Sequence, residues 1–339
     1  MKFPVFDIKS DRQFNELALE VYTYQFERNQ VYRKYCQLLG KPKAAHVSEI
    51  PFLPISFFKT HQVTTDIQKD PAITFTSSGT TGIQTSQHLV GDLEIYNQSL
   101  DHSFKQFYGN HEDYTILALL PHYLERTGSS LVYMVDRWIK KSGDAQSGFY
   151  LNNLDDLAQI LKSLQDSNRK VILIGVTFAL LQLAEKFPME LNNTIIIETG
   201  GMKGMRKEMI KPELHQILKS AFNPQGGEGV YIERSRNTKA ETHSEYGMTE
   251  LLSQAYAPDG IRFQPPAWMQ VSTRDTNDPL SRIAHGKTGG LNVIDLANLE
   301  SCSFIATQDL CKTYADGTFE VLGRFDHSDI RGCNLLAVG

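Results

Sequence analysis

The sequence predicts an α/β fold in which a mostly parallel sheet is covered by helices and followed by a β-rich C-terminal subregion. Three observations carry this: apolar runs such as Val171-Ile172-Leu173-Ile174 and Ile195-Ile196-Ile197, helical patterns between such runs, and turn-rich sequence after about residue 225. Strands buried on both faces of a parallel sheet are apolar throughout, and the helices between them supply the crossovers.

Between Asp11 and Gly40, the residues Phe14, Leu17, Val21, Val31, Tyr35 and Leu38 recur at helical spacing with glycine at the stop, predicting one or two helices. In Ile50 to Lys59 that follows, Pro51 and Pro54 disfavour a continuous helix and the aromatic residues favour a packed, extended connector. From Tyr114 the pattern alternates: an apolar run 114–120, a helix near 153–165, a run 171–175, a helix near 177–187 and a run 194–198. Turn signals at Pro224-Gln225-Gly226-Gly227 and Pro265-Pro266 then precede strand-like Gly290-Leu291-Asn292-Val293-Ile294 and Phe319-Glu320-Val321-Leu322. The expected division is a helical segment over 1–49 packed on the core, an α/β subdomain over 50–225 and a β-rich subdomain over 226–339.

A formal charge of -5 with 41% hydrophobic and 22% charged residues describes an ordinary globular chain and gives no electrostatic reason to expect nucleic acid. No signal-peptide pattern opens it and no apolar stretch approaches the roughly 18 residues of a membrane helix, so no membrane span and a cytoplasmic location are expected. The four cysteines, Cys36, Cys302, Cys311 and Cys333, form no CxxC pair and are expected as free thiols. Cys333 differs in lying beside Arg331 near the C-terminus, where a mobile, electropositive thiol is a candidate nucleophile.

Four segments carry chemistry. In Phe75-Thr76-Ser77-Ser78-Gly79-Thr80-Thr81-Gly82, hydroxyls and glycines suit a loop wrapped around phosphate oxygens, making a nucleotide the first ligand to consider. It is no Walker A loop, because Ile83-Gln84-Thr85 follows. Tyr246-Gly247-Met248-Thr249-Glu250 combines a flat ring, a flexible glycine, a hydroxyl and a carboxylate, which suit adenine, phosphate and magnesium. Ala306-Thr307-Gln308-Asp309-Leu310 puts an acid straight after an apolar strand, where it suits the ribose hydroxyls. Gly323-Arg324-Phe325-Asp326 follows a turn and a strand with an arginine suited to phosphate or ribose oxygens. Singly, these segments also read as a polar turn, a surface turn, a strand-end cap and a solvated charge.

Together and in this order they resemble the acyl-adenylate-forming (ANL) enzymes from about residue 50 to the end. Within that superfamily the chain looks most like the LuxE-type acyl-protein synthetases, long-chain-fatty-acid--protein ligases of bacterial fatty-acid reductase complexes. Pro51-Phe52-Leu53-Pro54-Ile55-Ser56-Phe57-Phe58-Lys59, the doubled Ser77-Ser78 and Arg331-Gly332-Cys333 carry that likeness. The resemblance implies the large N-terminal domain of such an enzyme, with the 226–339 subdomain completing the nucleotide site.

It further implies ATP and Mg²⁺, with Ser77, Ser78, Gly79, Thr80, Thr81 and Gly82 on the β- and γ-phosphates, Thr249 on the α-phosphate and Glu250 on the metal. Tyr246 and Gly247 would lie at adenine, with Gly200 and Gly201 of the Thr199-Gly200-Gly201-Met202 turn lining that side. Asp309 would take the ribose, Arg324 ribose or phosphate, and Pro121-His122 makes His122 a candidate at the acyl carboxylate. Cys333 would accept the acyl group and pass it to a partner such as an acyl reductase or acyl carrier protein.

Two departures are informative. Gln84 and Thr85 stand where the superfamily often has proline and lysine, and the sequence ends at Gly339 without the small mobile domain and its catalytic lysine. Ordinary coenzyme A ligation becomes a lesser expectation. The alternatives are direct transfer to a carrier-protein or coenzyme A thiol, and a catalytically inactive nucleotide-binding subunit of a multienzyme complex.

Overall fold

The structure is a computed structural model describing residues 3–77, 85–121, 128–150, 153–165, 167, 169–200, 209–223 and 240–325. It forms two compact units, each discontinuous in sequence: Met1–Tyr96, Glu250–Ser253 and Gln264–Gly339 in the first, Asn97–Thr249 and Gln254–Phe263 in the second.

In chain order the first unit supplies α1 (Asp11–Arg28), α2 (Gln30–Leu38), β1 (Leu53–Pro54), α3 (Phe57–Thr60), β2 (Ile73–Thr76), β3 (Gln87–Val90) and the start of α4 (Leu93–Tyr108). The second supplies β4 (Tyr114–Leu119), α5 (Ser130–Ser142), β5 (Gly148–Phe149), α6 (Leu154–Leu164), β6 (Lys170–Gly175) and α7 (Thr177–Lys186). It continues with β7 (Thr194–Glu198), α8 (Lys211–Phe222), β8 (Glu241–Tyr246) and β9 (Ala255–Ala257). The chain then returns to the first unit for β10 (Met269–Arg274), β11 (Thr288–Asp295), β12 (Phe304–Thr313) and β13 (Phe319–Arg324).

The second unit is built on a six-stranded sheet ordered β5-β4-β6-β7-β8-β9, parallel except for β9. Its central strands pair Ile116 with Ile172 and Ile172 with Ile195, and Leu117, Leu173, Ile196 and Ile197 are fully buried. The apolar runs at 114–120, 171–175 and 194–198 and the helices near 153–165 and 177–187 therefore stand where the periodicity placed them.

In the first unit, β10 to β13 form an antiparallel succession that β1 extends in parallel by pairing Leu53 with Ile305. The proline-rich connector is thus extended for two residues, then turns into the short helix α3.

The N-terminal helices correct one expectation. Ser10 caps α1 by accepting from the Gln13 amide, and Asn29 caps α2 by accepting from the Tyr32 amide at 2.9 Å. Phe14, Leu17 and Val21 are buried as predicted, but in α2 the buried pair is Tyr32 and Cys36, while Leu38 is 78% exposed. Asn29 also donates to Ser301 O at 3.0 Å and the Tyr32 hydroxyl donates to Pro51 O at 2.6 Å. The cap restarts the helix in a new phase, so a periodicity carried over from α1 points α2 the wrong way. Tyr32→Ala is expected to cost about 4 kcal/mol, by analogy with large-to-small aromatic truncations, and Leu38→Ser to change stability by less than about 0.5 kcal/mol. Urea denaturation of the two variants checks the phase.

Candidate active site

The described part of the phosphate-loop candidate is its root. Strands β2 and β3 form an antiparallel pair, Phe75 opposite His88 and Thr76 opposite Gln87. Ser77 closes it: its amide donates to Ser86 O at 3.1 Å, and its hydroxyl accepts from the Ser86 amide at 2.9 Å. Ser78, Gly79, Thr80, Thr81 and Gly82 lie outside the described residues, as do His122, Gly201 and Cys333.

Glu250 stands in the same unit, 5% exposed. Burial pushes its carboxyl above the ordinary value and the charge of Asp309 adds to the rise, while a Ser86 hydrogen bond and Arg324 pull it partly back. Its position is set through the backbone. Asn298 Nδ2 donates to Glu250 O at 2.8 Å, and Asn298 Oδ1 lies 2.9 Å from His88 Nε2, which must carry the proton because that oxygen only accepts. His88 belongs to β3, so one asparagine ties that strand pair to the backbone of Glu250.

Asp295, fully buried at the end of β11, reinforces the arrangement. It accepts from the Leu252 amide at 2.7 Å, the Ser253 hydroxyl at 2.6 Å and the Ala297 amide at 3.2 Å. Burial nevertheless pushes its carboxyl up to about 6. Neither Asp295 nor Asn298 was foreseen; the only signal was polar residues closing an apolar strand.

Asp309 corrects the expectation that it ends a strand. It lies within β12, where Thr307, Asp309, Cys311 and Thr313 alternate on the buried side. It pairs in register with Arg324 of β13, and Arg324 Nε donates to Asp309 Oδ1 at 3.1 Å. The Arg324 side chain remains half exposed at 51%, so this ion pair alone is worth little to stability.

The remaining predicted residues belong to the second unit, at the carboxyl ends of β7 and β8, where open α/β sheets bind ligands. Gly200 follows β7 at φ 79°, a left-handed conformation that favours glycine, and its amide donates to Glu198 Oε1 at 2.7 Å. Tyr246 ends β8, edge-to-face against Phe263 with ring centroids 5.8 Å apart. Gly247 is exposed and Thr249 half-buried.

A buried polar group missed by sequence reasoning lies beside them. Lys211 Nζ donates to Glu198 Oε2 at 2.8 Å and the Ser244 hydroxyl donates to the same oxygen at 3.2 Å. Burial opposes ionisation of Glu198, but Lys211, the Thr177 hydroxyl and the Gly200 amide outweigh it and hold the carboxyl below its ordinary value. Glu245 has no such support: burial, then the charge of Glu198, push it up to about 8, with Lys211 opposing.

An acid with a raised native pKa keeps its proton while the unfolded chain loses one, so Glu245 withdraws stability as pH rises from about 4.5 to 8. Glu245→Gln, which cannot titrate, is expected to gain on wild type by up to about 1.4 kcal/mol per pH unit across that window and no further above it. Chemical denaturation at pH 5, 7 and 9 measures the difference.

Among the described residues no cluster of three or more metal-ligating side chains occurs and no helix is long and apolar enough to cross a membrane. Cys36, Cys302 and Cys311 are buried free thiols, with burial pushing Cys36 and Cys311 up to about 11.

The fold is that of the adenylate-forming ligases. A crystal structure of 2-hydroxyisobutyryl-CoA ligase with 2-HIB-AMP and CoA matches with TM-score 0.66 and 12% identity, over 96% of this chain and 71% of that one. ATP-bound MatB from Rhodopseudomonas palustris matches with TM-score 0.53 and 15% identity, over 77% and 49% of the two chains. The chain belongs to the acyl-protein synthetase, LuxE, family, whose model matches residues 6–338. It is similar to the long-chain-fatty-acid--luciferin-component ligases of Aliivibrio fischeri (23% identical) and Vibrio harveyi (21%), each over 95% of this chain and 86% of the relative. It is accordingly an enzyme, a ligase that activates a carboxylic acid and transfers the acyl group.

Proposed function

We propose that the chain condenses a fatty acid with ATP to acyl-adenylate and pyrophosphate, then passes the acyl group to Cys333 and on to a partner protein such as an acyl reductase or acyl carrier protein. The observation that carries this is the family match across residues 6–338, which takes in all four motifs and Cys333. The carboxylate oxygen attacks the α-phosphorus and pyrophosphate leaves. The Cys333 thiolate then attacks the carbonyl of the mixed anhydride, AMP leaves, and a thioester remains.

Ser77 to Gly82 would cradle the β- and γ-phosphates and Thr249 the α-phosphate. Tyr246, Gly247, Gly200 and Gly201 would hold adenine, Asp309 the ribose and Arg324 ribose or phosphate, with His122 at the acyl carboxylate. Ionised Glu250 would be one protein oxygen for Mg²⁺: a buried carboxyl raised by burial and by Asp309 fits a cation that would offset both, and Mg²⁺ takes few protein ligands beside phosphate and water. When bound, that ion supplies charge screening on the triphosphate. Arg331 beside Cys333 would favour the thiolate.

The test is a panel of carboxylic acids scored by ATP-dependent pyrophosphate release, followed by intact-mass measurement of the enzyme. Release with fatty acids and a hydroxylamine-labile acyl adduct on Cys333 are expected. An enzyme that stays unmodified and releases no pyrophosphate with any acid overturns the reading.

A further inference from the structure

Gln25 stands in the buried stripe of α1, in line with Phe14, Leu17, Ala18, Val21 and Tyr22, and is itself fully buried. An amide in such a stripe costs stability unless its hydrogen bonds are made, and here they are made to one distant turn. Gln25 Nε2 donates to Asn298 O at 2.9 Å, to Leu299 O at 3.0 Å and to the Ser303 hydroxyl oxygen at 3.1 Å, while Gln25 Oε1 accepts from the Ser303 amide at 2.9 Å. An apolar side chain would fill the same space and leave these backbone groups unpaired.

The turn so held joins β11 to β12 and presents Asn298. Ser303 closes it, its hydroxyl donating to Asn298 O at 3.3 Å and its carbonyl accepting from the Asp295 amide at 2.8 Å. The Asn298 side chain donates to Glu250 O and accepts from His88 on β3. Gln25, His88, Glu250 and Asn298 all belong to the first unit. Gln25 therefore fixes the backbone on which the side chain joining Glu250 to β3 is mounted.

We propose that Gln25 is a positioning residue for MgATP: through Asn298 it holds the backbone of Glu250 and the β2–β3 pair in the placement that nucleotide binding requires, so that the N-terminal helix works as part of the nucleotide site. The inference rests on the reading of Glu250 and the Ser77 segment given above. Its role is indirect, since it fixes the mount and not the ligand. A shift of about 1 Å in groups that meet a ligand costs on the order of a hundredfold in rate, which gives an amide far from the chemistry leverage over it.

The test compares wild type with Gln25→Met, Gln25→Glu and Val21→Ala in the full chain. Val21 lies one turn earlier on the same buried face, and its truncation destabilises by leaving a cavity, which makes it the control for stability alone. Hydrogen exchange of the ligand-free enzyme is read over 86–90 and 250–253, calorimetry reads MgATP binding, and pyrophosphate release reads the KM for MgATP and for the acid. Gln25→Met is expected to speed exchange in both segments and to weaken MgATP binding by about tenfold, with the KM for MgATP rising alike and that for the acid within about twofold. Gln25→Glu keeps an acceptor for the Ser303 amide but has fewer donors, and should fall between. Val21→Ala, at an equal or larger loss of melting temperature, should leave MgATP affinity within about twofold of wild type. In an Asn298→Ala background, Gln25→Met should add less than about twofold to the loss, because both act on one link.

Unchanged exchange and MgATP affinity in Gln25→Met overturn the inference. An equal loss of affinity in Val21→Ala also overturns it, by reducing Gln25 to a contributor to stability, and so does full additivity with Asn298→Ala, because the effect would then bypass that side chain. If wild type releases no pyrophosphate with any acid, the activation reading fails separately, and exchange and calorimetry still decide the role of Gln25. Gln25→Glu carries the comparison with Val21→Ala if Gln25→Met does not fold.

Discussion

Cys333→Ser is expected to abolish the covalent acyl adduct and to lower transfer to the partner by about a hundredfold or more, while acid-dependent pyrophosphate exchange stays within about twofold of wild type. On the proposed site, adenylation would draw on the motifs around Ser77, Glu250 and Asp309 and use no thiol, so the first half of the reaction should not sense the substitution. The second half needs a nucleophile that ionises near neutrality, and a serine hydroxyl does not. Intact mass spectrometry with ATP and fatty acid reads the first effect, and pyrophosphate exchange reads its absence. Full transfer by Cys333→Ser to an external thiol would remove Cys333 from the mechanism. If Cys333 is the acceptor, Arg331 beside it in sequence would be a second point of control, since an ordinary cysteine near pKa 8.5 is mostly protonated at neutral pH.

Asp295→Ala is expected to cost about 3–5 kcal/mol of stability and, in whatever fraction folds, to depress adenylation about tenfold or more. The carboxylate accepts from the Leu252 amide, the Ser253 hydroxyl and the Ala297 amide in a fully buried setting, and alanine leaves those donors unsatisfied. Leu252 and Ser253 follow Glu250 by two and three positions, so the loss reaches the carboxylate that would face magnesium. Trp268 Nε1 donates to the same Ser253 hydroxyl at 2.8 Å, which extends the damage into the strand region of β10. Thermal unfolding together with pyrophosphate exchange distinguishes this from a local defect: unchanged melting and unchanged exchange would dismiss Asp295 as an anchor.

Much of the parallel sheet was legible because its strands are apolar on both faces. Tyr114–Leu119, Lys170–Gly175 and Thr194–Glu198 stand out in the sequence, and the helices between them carry a clear 3.6-residue stripe. The helix α4 and strand β3 went unread, since β3 is only four residues long and carries a histidine and a glutamine among its side chains. Cys36 in place of Leu38 on the buried face of α2 shows a further limit: a cap residue resets the phase between two helices, and a periodicity summed across both loses that information.

The candidate site divides in the same way. Ser77, Glu250, Asp309 and Arg324 enter the proposed site through short motifs whose residue types suit phosphate, metal and ribose chemistry. Asn298 and Asp295 were not legible, because each acts by holding backbone groups more than 40 positions away in the sequence. Glu245 was invisible beside the tyrosine that follows it, since a glutamate before Tyr246 looks like any strand residue until its burial is known.

The sequence by itself determined the α/β class, the order of the four motifs and hence the family, because local periodicity and motif chemistry are properties of neighbouring residues. Only the tertiary structure decided that Asp309 meets Arg324 across a strand pair, that Asn298 links His88 to Glu250, and that Gln25 of α1 holds the turn carrying Asn298. These are relations between residues far apart or on separate elements, and they depend on how the strands are ordered and which side chains burial strips of water.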